Sequence, residues 1–175
     1  MGVRRVLVMG LVRWCPATRC YPLKARILSC AGWRVHETAR VVSSVQLVGS
    51  FDLIVGAGTF IGHDVLVTGG QATIHIGSCV DIAPRVVVLC GTHEIDMSGD
   101  RCAGRGYCKD VKIGDGAWIG AGSIILPGVT IGAHSVIGAG SMVCRNIPPY
   151  VIAVGNPCRP IKSWDSSTGR FVPAA

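Results

Sequence analysis

The aliphatic residues between positions 111 and 147 recur at a fixed interval of six. The recurring residues are Ile113, Ile119, Ile125, Ile131, Ile137 and Val143. Four of the six are followed directly by glycine. An amphipathic helix would place its apolar residues three and four positions apart, and a half-buried strand would alternate them. Neither pattern fits, so the interval of six predicts short strands separated by regular corners.

A solenoid accounts for this interval. Each group of six residues then forms one flat strand and a turn, three groups close a triangular coil, and backbone hydrogen bonds join successive coils. The aliphatic residue points inward on every face. The glycine beside it lies at the corner, where a positive φ or a close approach of two backbones suits a residue without Cβ. The small residues Gly116, Gly122, Gly128 and Gly140 keep the turns tight.

The same interval extends towards the N-terminus with two irregularities. The expected inward residues there are Val35, Val41, Leu47, Val55, Ile61, Val67, Ile76, Ile82 and Val88. The pattern stops after Glu94, and residues 95–110 contain glycines and charges without any repeat. We interpret residues 95–110 as a loop that leaves the solenoid and returns at Val111. Long loops inside a compact domain are usually functional.

The ends of the chain are predicted to differ from the solenoid. Residues 22–31 predict a short amphipathic helix with Leu23, Ile27 and Cys30 or Ala31 on one face. We expect this helix to cap the first coil, whose strand edges would otherwise be unpaired. The predicted organisation is an N-terminal segment over 1–34, a β-helix domain over 35–164 and a flexible tail over 165–175.

Specific motifs accompany the repeat. The stretch WIGAGSIILPGVTIG, followed by VIGAGSMV, NIPPY and GNPCRPIK, resembles the sugar O-acetyltransferase branch of the hexapeptide-repeat acyltransferases. That branch includes the maltose, galactoside and nodulation-factor acetyltransferases, and the resemblance covers residues 54–164. It implies an all-β solenoid that is a left-handed parallel β-helix, an exception to the usual right-handed crossover. It also implies a homotrimer in which the loop over 95–110 reaches across a site shared with a neighbouring subunit.

The amino-acid composition indicates in which cellular compartment the protein resides. The chain has 24 glycines, 15% charged residues and a mean hydropathy of +0.47, which alone would suggest a membrane protein. No apolar run approaches the roughly 18 residues needed to cross a bilayer, and the short apolar run before Arg13 lacks the cleavage pattern of a signal peptide. The nine cysteines contain no Cys-x-x-Cys motif. We therefore expect a reduced, cytoplasmic protein.

The net charge of +7 raises the question of an anionic partner. Nucleic acid is not the expected partner, because aromatic residues are only 6% and no basic cluster is interleaved with stacking side chains. Several basic residues are concentrated near the N-terminus. Either solubility or peripheral contact with an anionic membrane surface or lipid-linked substrate would explain them.

His93, in the motif CGTHE, is the candidate catalytic residue. It matches the catalytic histidine of the sugar acetyltransferases, and the resemblance implies that it acts as a general base. Imidazole suits this role because its pKa is near neutral. A backbone N–H near the same corner would stabilise the oxyanion. Asp81 and Glu94 are candidates to orient His93.

Two further residues are candidates for substrate binding. His63 matches a position where the family has an asparagine that contacts both acceptor and thioester, and the departure leaves a structural turn role open. Trp118 matches an aromatic residue that lines the acceptor or pantetheine channel, and ordinary packing is the alternative.

The resemblance implies acetyl-CoA as co-substrate and no required metal. The matching positions are Ala83, Ala121, Ala139, Cys144, Arg145, Arg159 and Lys162. The alanines would let pantetheine lie against the backbone, although any tight coil also needs small residues there. The basic residues would bind phosphates, or else form a solvated rim. Cys144 replaces a threonine of the family pattern.

These residues together predict a coenzyme A dependent O-acetyltransferase that modifies a hydroxyl of a sugar or glycan precursor. An N-acetyltransferase acting on an amino sugar is the alternative within the same chemistry. A metal-dependent enzyme like the γ-type carbonic anhydrases would need three converging histidines, and His93 has no companion before His134. A non-catalytic assembly module built on the same repeat is a third interpretation.

Overall fold

A computed structural model describes residues 2–174, which begin with two helices. Helix α1 spans Val3–Trp14 and helix α2 spans Tyr21–Ser29. Helix α2 is the predicted N-terminal helix, beginning one residue earlier and ending two residues sooner than expected. Helix α1 was not predicted. Met1 and Ala175, which belong to the predicted N-terminal segment and tail, lie outside the described residues.

Five coils of three short parallel strands follow the helices. The first three coils contain β1 Arg34–Val35, β2 Arg40–Val41, β3 Gln46–Gly49, β4 Asp52–Val55, β5 Phe60–Ile61, β6 Leu66–Gly69, β7 Thr73–Ile76, β8 Asp81–Ile82 and β9 Val87–Leu89. A hairpin of β10 Gly91–Ile95 and β11 Ala103–Cys108 comes next. The last two coils contain β12 Val111–Ile113, β13 Trp118–Ile119, β14 Ile124–Ile125, β15 Thr130–Ile131, β16 Val136–Ile137 and β17 Met142–Val143.

The strands stack into three sheets, one for each face of the solenoid. Sheet A contains β1, β4, β7, β12 and β15, sheet B begins with β2, β5, β8, β13 and β16, and sheet C contains β3, β6, β9, β14 and β17. Within sheet B, Ile119 pairs with both Ile82 and Ile137, so equivalent positions of successive coils are in register. The predicted all-β solenoid is confirmed.

The aliphatic interval of six marks the interior of the solenoid. Every expected inward residue from Val41 to Val143 is buried, and Val35 is half-buried. Each coil therefore covers the aliphatic layer of its neighbour, which supplies the hydrophobic stabilisation that short isolated strands lack.

Glycine serves two different purposes at the corners. A Cβ on Gly120, directly after an inward isoleucine, would lie 2.5 Å from the backbone nitrogen of Ala139 in the next coil. Gly116 instead has φ +65°, in the region that side chains with Cβ rarely adopt. The glycine beside the aliphatic residue thus permits close backbone approach, and the glycine two positions later permits the turn.

Sheet B continues beyond the last coil through β18 Val151–Gly155, β19 Cys158–Asp165 and β20 Arg170–Pro173. Strand β18 pairs parallel with β16, and the next two strands are antiparallel. Residues 170–173 were expected to belong to a flexible tail over 165–175, but they form β20. The open edge of β19 provides their hydrogen bonds, and Phe171 packs edge-on against Trp164 at 5.1 Å between ring centroids.

The buried face of α2 differs from the predicted one. Lys24, Ala25 and Leu28 are buried, whereas Leu23 and Cys30 are exposed. The helix is rotated because the ammonium group of Lys24 donates hydrogen bonds to the carbonyls of Pro16 and Ala17 at 3.3 and 2.8 Å and to the hydroxyl of Ser43 at 3.3 Å. These bonds allow a lysine to occupy a core position, and burial lowers its pKa.

Candidate active site

The segment that interrupts the repeat is a β-hairpin, formed by the antiparallel pair β10 and β11. It was expected to be an ejected loop over 95–110, but the departure from the solenoid begins at Gly91, directly after Cys90. The backbone N–H of Lys109 donates to the carbonyl of Cys90 at 2.9 Å, which brings the two ends of the hairpin together. The chain therefore leaves and re-enters the solenoid at one corner, between sheets C and A.

His93 lies on β10 near the base of this hairpin, with its side chain exposed. Its cross-strand partner is Gly106, and a Cβ added to Gly106 would lie 3.5 Å from Nε2 of His93. The imidazole therefore occupies space that a larger partner would restrict. Within residues 2–174 its ring nitrogens form no hydrogen bond, so both can meet a substrate.

The two predicted orienting residues, Asp81 and Glu94, form no hydrogen bond or ion pair with His93 among the described residues. Asp81 lies on the outer face of sheet B, where its Oδ1 is 3.8 Å from Nη2 of Arg40. Glu94 lies at an irregularity in the hairpin pairing between His93 and Ile95.

His63 lies at a different corner, between sheets B and C, directly after β5. Its Nδ1 is 3.5 Å from the hydroxyl of Ser44, and that hydroxyl also accepts a hydrogen bond from the backbone of Asp64 at 3.1 Å. Ser44 belongs to the preceding coil and was missed from the sequence. Val41 pairs with Ile61, so equivalent positions in the first two coils are 20 residues apart. This spacing, applied to Asp64, would have indicated Ser44.

A cleft of about 520 Å³ adjoins the Ser44 corner. Helix α1 contributes Arg13 to its lining, and the first two coils contribute Ser43, Ser44 and Asp64. The cleft therefore joins the helical segment to the corner that carries His63, and its lining is polar and apolar in about equal parts.

Two of the three predicted alanines stack at the same corner as His63. The N–H of Gly140 donates to the carbonyl of Ala121 at 2.8 Å, which places Ala121 and Ala139 in register. The residue in register with them in the third coil is Pro84, because the N–H of Gly122 donates to its carbonyl at 3.0 Å. Ala83 lies one position earlier, equivalent to Gly120. Ala83 is therefore one residue out of register with Ala121 and Ala139.

Trp118 lies on the outer face of sheet B with 56% of its surface exposed. Its neighbours in register are Asp81 and Val136. The indole is not part of the hydrophobic core of the single chain. The alternative of an ordinary packing role therefore does not apply within one subunit. Lys162 extends the same row, through its pairing with Ile152 of β18, to the C-terminal end of the sheet.

The remaining predicted cofactor residues fall at two corners. The N–H of Gly155 donates to Ser141 at 3.1 Å, which holds the turn before Arg159 against the corner of Ala139. Cys144 and Arg145 follow β17 and therefore lie at the opposite edge of sheet C. A single chain groups Arg159 with the alanine corner but does not bring Cys144 and Arg145 there.

The outer faces of the three sheets differ in polarity. Sheet C presents a row of apolar side chains, Leu66, Val87, Ile124 and Met142, which pair in register along the solenoid. Sheet A presents mostly polar ones, with Ile54 in register between Arg34 and His75. The polar side chains are Arg34, Asp52, Thr73, His75, Lys112 and Thr130. Sheet C is therefore an apolar face without a partner among residues 2–174.

Side chains suitable for metal binding are dispersed in the described part of the chain. No three of its histidine, cysteine, aspartate and glutamate side chains are close enough together to hold a metal ion.

Known proteins resemble this chain in both sequence and fold. The family model for the bacterial transferase hexapeptide (six repeats) matches residues 110–145. A galactoside O-acetyltransferase of Escherichia coli (strain K12) is 47% identical over 128 residues, which cover 73% of this chain and 62% of that relative.

Solved structures extend the similarity to nearly the whole chain. The crystal structure of a maltose O-acetyltransferase from Clostridium difficile 630 is 34% identical with a TM-score of 0.72, and the match covers 92% of this chain and 84% of that one. A galactoside acetyltransferase in complex with coenzyme A is 26% identical with a TM-score of 0.68, over 94% and 82% of the two chains.

The coils and their repeat define a hexapeptide-repeat β-solenoid. The chain belongs to the hexapeptide-repeat sugar O-acetyltransferase family, which confirms the resemblance found in the sequence. It spans 45 to 62% of the length of three curated relatives that it matches.

Proposed function

We propose that the chain is an acetyl-CoA dependent O-acetyltransferase that modifies a hydroxyl of a sugar or glycan precursor. The observation that carries this proposal is the exposed imidazole of His93, which faces Gly106 on a hairpin that projects from the solenoid. The related galactoside and maltose O-acetyltransferases, and the coenzyme A in one solved structure, support the same reaction class.

In the proposed reaction His93 acts as the general base. It accepts the proton of the acceptor hydroxyl while the hydroxyl oxygen attacks the carbonyl carbon of the thioester. A backbone N–H stabilises the resulting oxyanion. The carbon–sulfur bond then breaks, and the proton held by His93 passes to the departing thiolate, so that the acetyl ester and free coenzyme A leave.

The proposed cofactor site follows the corner between sheets B and C. Ala121 and Ala139 have short side chains there, so a pantetheine arm can approach the backbone groups. Arg159 and Lys162 lie towards the C-terminal end, where cations would bind the phosphates. Cys144 and Arg145 lie at the other edge of sheet C. In this proposal they contact coenzyme A either from another subunit or at the far end of its nucleotide.

The apolar outer face of sheet C supports a homotrimer. A contiguous apolar face is typical of a protein–protein contact, and the other two faces carry charged side chains. His63 and His93 lie at the two edges of sheet C, so one subunit does not bring them together. A neighbouring hairpin that reaches across this face would complete a site between subunits.

The first experiment measures release of free thiol from acetyl-CoA with sugars, nucleotide sugars, amino sugars and serine as acceptors. We expect acceptor-dependent release by the native protein and a loss of at least about a hundredfold in His93→Ala. His36→Ala, at an exposed corner of the first coil, is the matched control and should remain active. Faster turnover of amino sugars would instead identify an N-acetyltransferase. Failure of the native protein to bind coenzyme A would favour a non-catalytic assembly module.

A second experiment tests the shared site. Ile124→Glu places a charge on the outer face of sheet C, and Thr130→Glu places the same charge on sheet A. We expect light scattering to give a trimer for the native protein and Thr130→Glu, and a smaller species with little activity for Ile124→Glu. A native protein of monomeric mass would contradict the proposed assembly.

Complementation tests which chains supply the two histidines. Mixed assemblies of His93→Ala and His63→Ala chains should regain activity that neither variant has alone, because some interfaces then combine two native residues. His63→Asn should retain activity, since asparagine occupies this position in the resembling family. The absence of any regained activity would place both residues in one subunit's site or remove His63 from it.

Compartment and metal requirement are tested separately. All nine cysteines are free thiols, which supports the proposed cytoplasmic location because thiols persist in a reducing compartment.

Activity should survive dialysis against a chelator, whereas a metal-dependent enzyme on this scaffold would lose activity and regain it with added zinc.

A further inference from the structure

Helix α1 presents an apolar stripe to solvent. Val3, Leu7, Leu11 and Trp14 recur at intervals of four, four and three and are 75, 63, 58 and 90% exposed. A second side of the helix packs against the protein through buried Val8 and Val12. The helix is therefore apolar on two sides, and only the inner side is covered in the described part of the chain.

The sequence around this stripe is basic without any compensating acid. The first 36 residues contain no aspartate or glutamate, and their cations are Arg4, Arg5, Arg13, Arg19, Lys24, Arg26 and Arg34. Arg5 lies 3.8 Å from Asp52 and Lys24 is buried, whereas the other five are exposed. At about 100° per residue, Arg4 falls beside the stripe next to Leu11, whereas Arg13 lies about 80° beyond Val3, towards the cleft that it lines.

We propose that α1 docks on a membrane surface that carries anionic lipids. A helix with an apolar face bordered by arginines lies in the plane of the interface, with its apolar side chains below the headgroups. Trp14 suits the boundary between headgroups and acyl chains, and the exposed arginines attract lipid phosphates. No helix within residues 2–174 is long and apolar enough to cross a membrane, so the contact is peripheral.

Charge favours a lipid surface over a second copy of this chain as the occupant. Two copies paired symmetrically, with α1 against α1, would bring Arg4 and Arg13 of one close to the same residues of the other. The segment has no carboxylate that could offset this repulsion, and like charges in contact oppose association. An anionic bilayer complements both the arginines and the stripe. This docking is independent of the proposed acetyl transfer.

The test is co-sedimentation of the full chain with vesicles of phosphatidylcholine alone or mixed equally with phosphatidylglycerol. We expect binding to the mixed vesicles only, weakened by added salt. Arg4→Gln and Arg13→Gln should each weaken binding about fivefold, and Leu11→Gln and Trp14→Ala should also weaken it. The matched controls Arg170→Gln and Val172→Gln, on β20 at the other end of the chain, should bind like the native protein.

Three results would overturn the docking. The first is equal binding to both kinds of vesicle, and the second is no binding to either. The third is a lower assembled mass of Leu11→Gln by light scattering, since that would mean a second copy covers the stripe. Leu11→Gln should still acetylate a soluble sugar at the native rate, so a failure of the docking is distinguishable from a failure of the proposed function.

Discussion

The imidazole of His93 lies opposite Gly106 across the hairpin, and a Cβ on that glycine would be 3.5 Å from Nε2. Directly opposed residues of an antiparallel pair are close enough for their side chains to interact. A methyl group at position 106 would therefore reach ordinary van der Waals contact with the ring. A branched side chain would need the space that the ring occupies.

We predict that Gly106→Val displaces the imidazole and lowers kcat/KM for acetyl transfer by about tenfold or more, because a small misplacement of a catalytic group is costly. Gly106→Ala should retain most of the activity. Gly99→Val, at the tip of the same hairpin, is the control for a bulky residue away from His93. Native activity in Gly106→Val, with an unchanged melting temperature, would show that Gly106 does not position the ring.

Lys24→Met tests the buried ammonium group. Methionine fills a similar volume but removes the hydrogen bonds that the ammonium group donates, while Ser43 still donates to the carbonyls of Pro16 and Ala17. We therefore expect the free energy of unfolding to fall by about 0.5 to 1.5 kcal/mol. Urea unfolding measures this, with Lys112→Met on the outer face of sheet A as the control. Equal loss in the two variants would mean that the buried hydrogen bonds do not stabilise the fold.

The same lysine should make stability depend on alkaline pH. Burial lowers its pKa in the folded state from the ordinary 10.5, so between the two pKa values the unfolded chain binds more protons. The free energy of unfolding should therefore rise with pH through that window. This contribution to the slope should be absent from Lys24→Met. Identical slopes for the two proteins would argue against a lowered pKa.

Gly120→Ala should be among the more damaging small substitutions in the solenoid. Its Cβ would lie 2.5 Å from the backbone nitrogen of Ala139, so two coils must separate locally, at a cost of about 1 to 3 kcal/mol. Gly10→Ala, where a Cβ meets nothing within 4 Å, should stabilise α1 by up to about 1 kcal/mol. Thermal unfolding of both variants should shift the midpoint in opposite directions.

Cys90, at the base of the hairpin, should resist alkylation. Burial, helped by the nearby Cys108, raises the pKa of its thiol to about 11, so little thiolate is present at neutral pH. We expect iodoacetamide to modify the exposed Cys20 and Cys102 well before Cys90, as measured by mass spectrometry of peptides. Early modification of Cys90 in the folded protein would mean that the hairpin base opens readily.

The sequence predicted most of the solenoid because its signal is local and repeated. One aliphatic residue in six marks an inward position in every coil, and burial of these residues follows that pattern. The face of α2 was predicted wrongly because hydropathy alone does not anticipate that Lys24 finds three hydrogen-bond acceptors. The hairpin strands were missed because residues 91–108 have no repeat, and their pairing is visible only in three dimensions.

The candidate site was harder to predict than the fold. His93 could be chosen from its motif, but its opposition to Gly106 depends on the hairpin register. Ser44 contacts His63 from another coil, 19 positions away. The shift of Ala83 relative to Ala121 arises from a one-residue change in alignment between coils.

The junction at Cys90 and Lys109 makes the hairpin a separable module. Strand β14 pairs with β9 and strand β12 with β7, in the same way as strands of coils that follow one another without an insertion. The register between the coils therefore does not depend on the number of residues between positions 91 and 108. Insertions and deletions there can alter the residues around His93 without cost to the coils. Under the proposed function, new acceptor preferences can thus evolve on an unchanged solenoid, and a designer could exchange this hairpin as a unit.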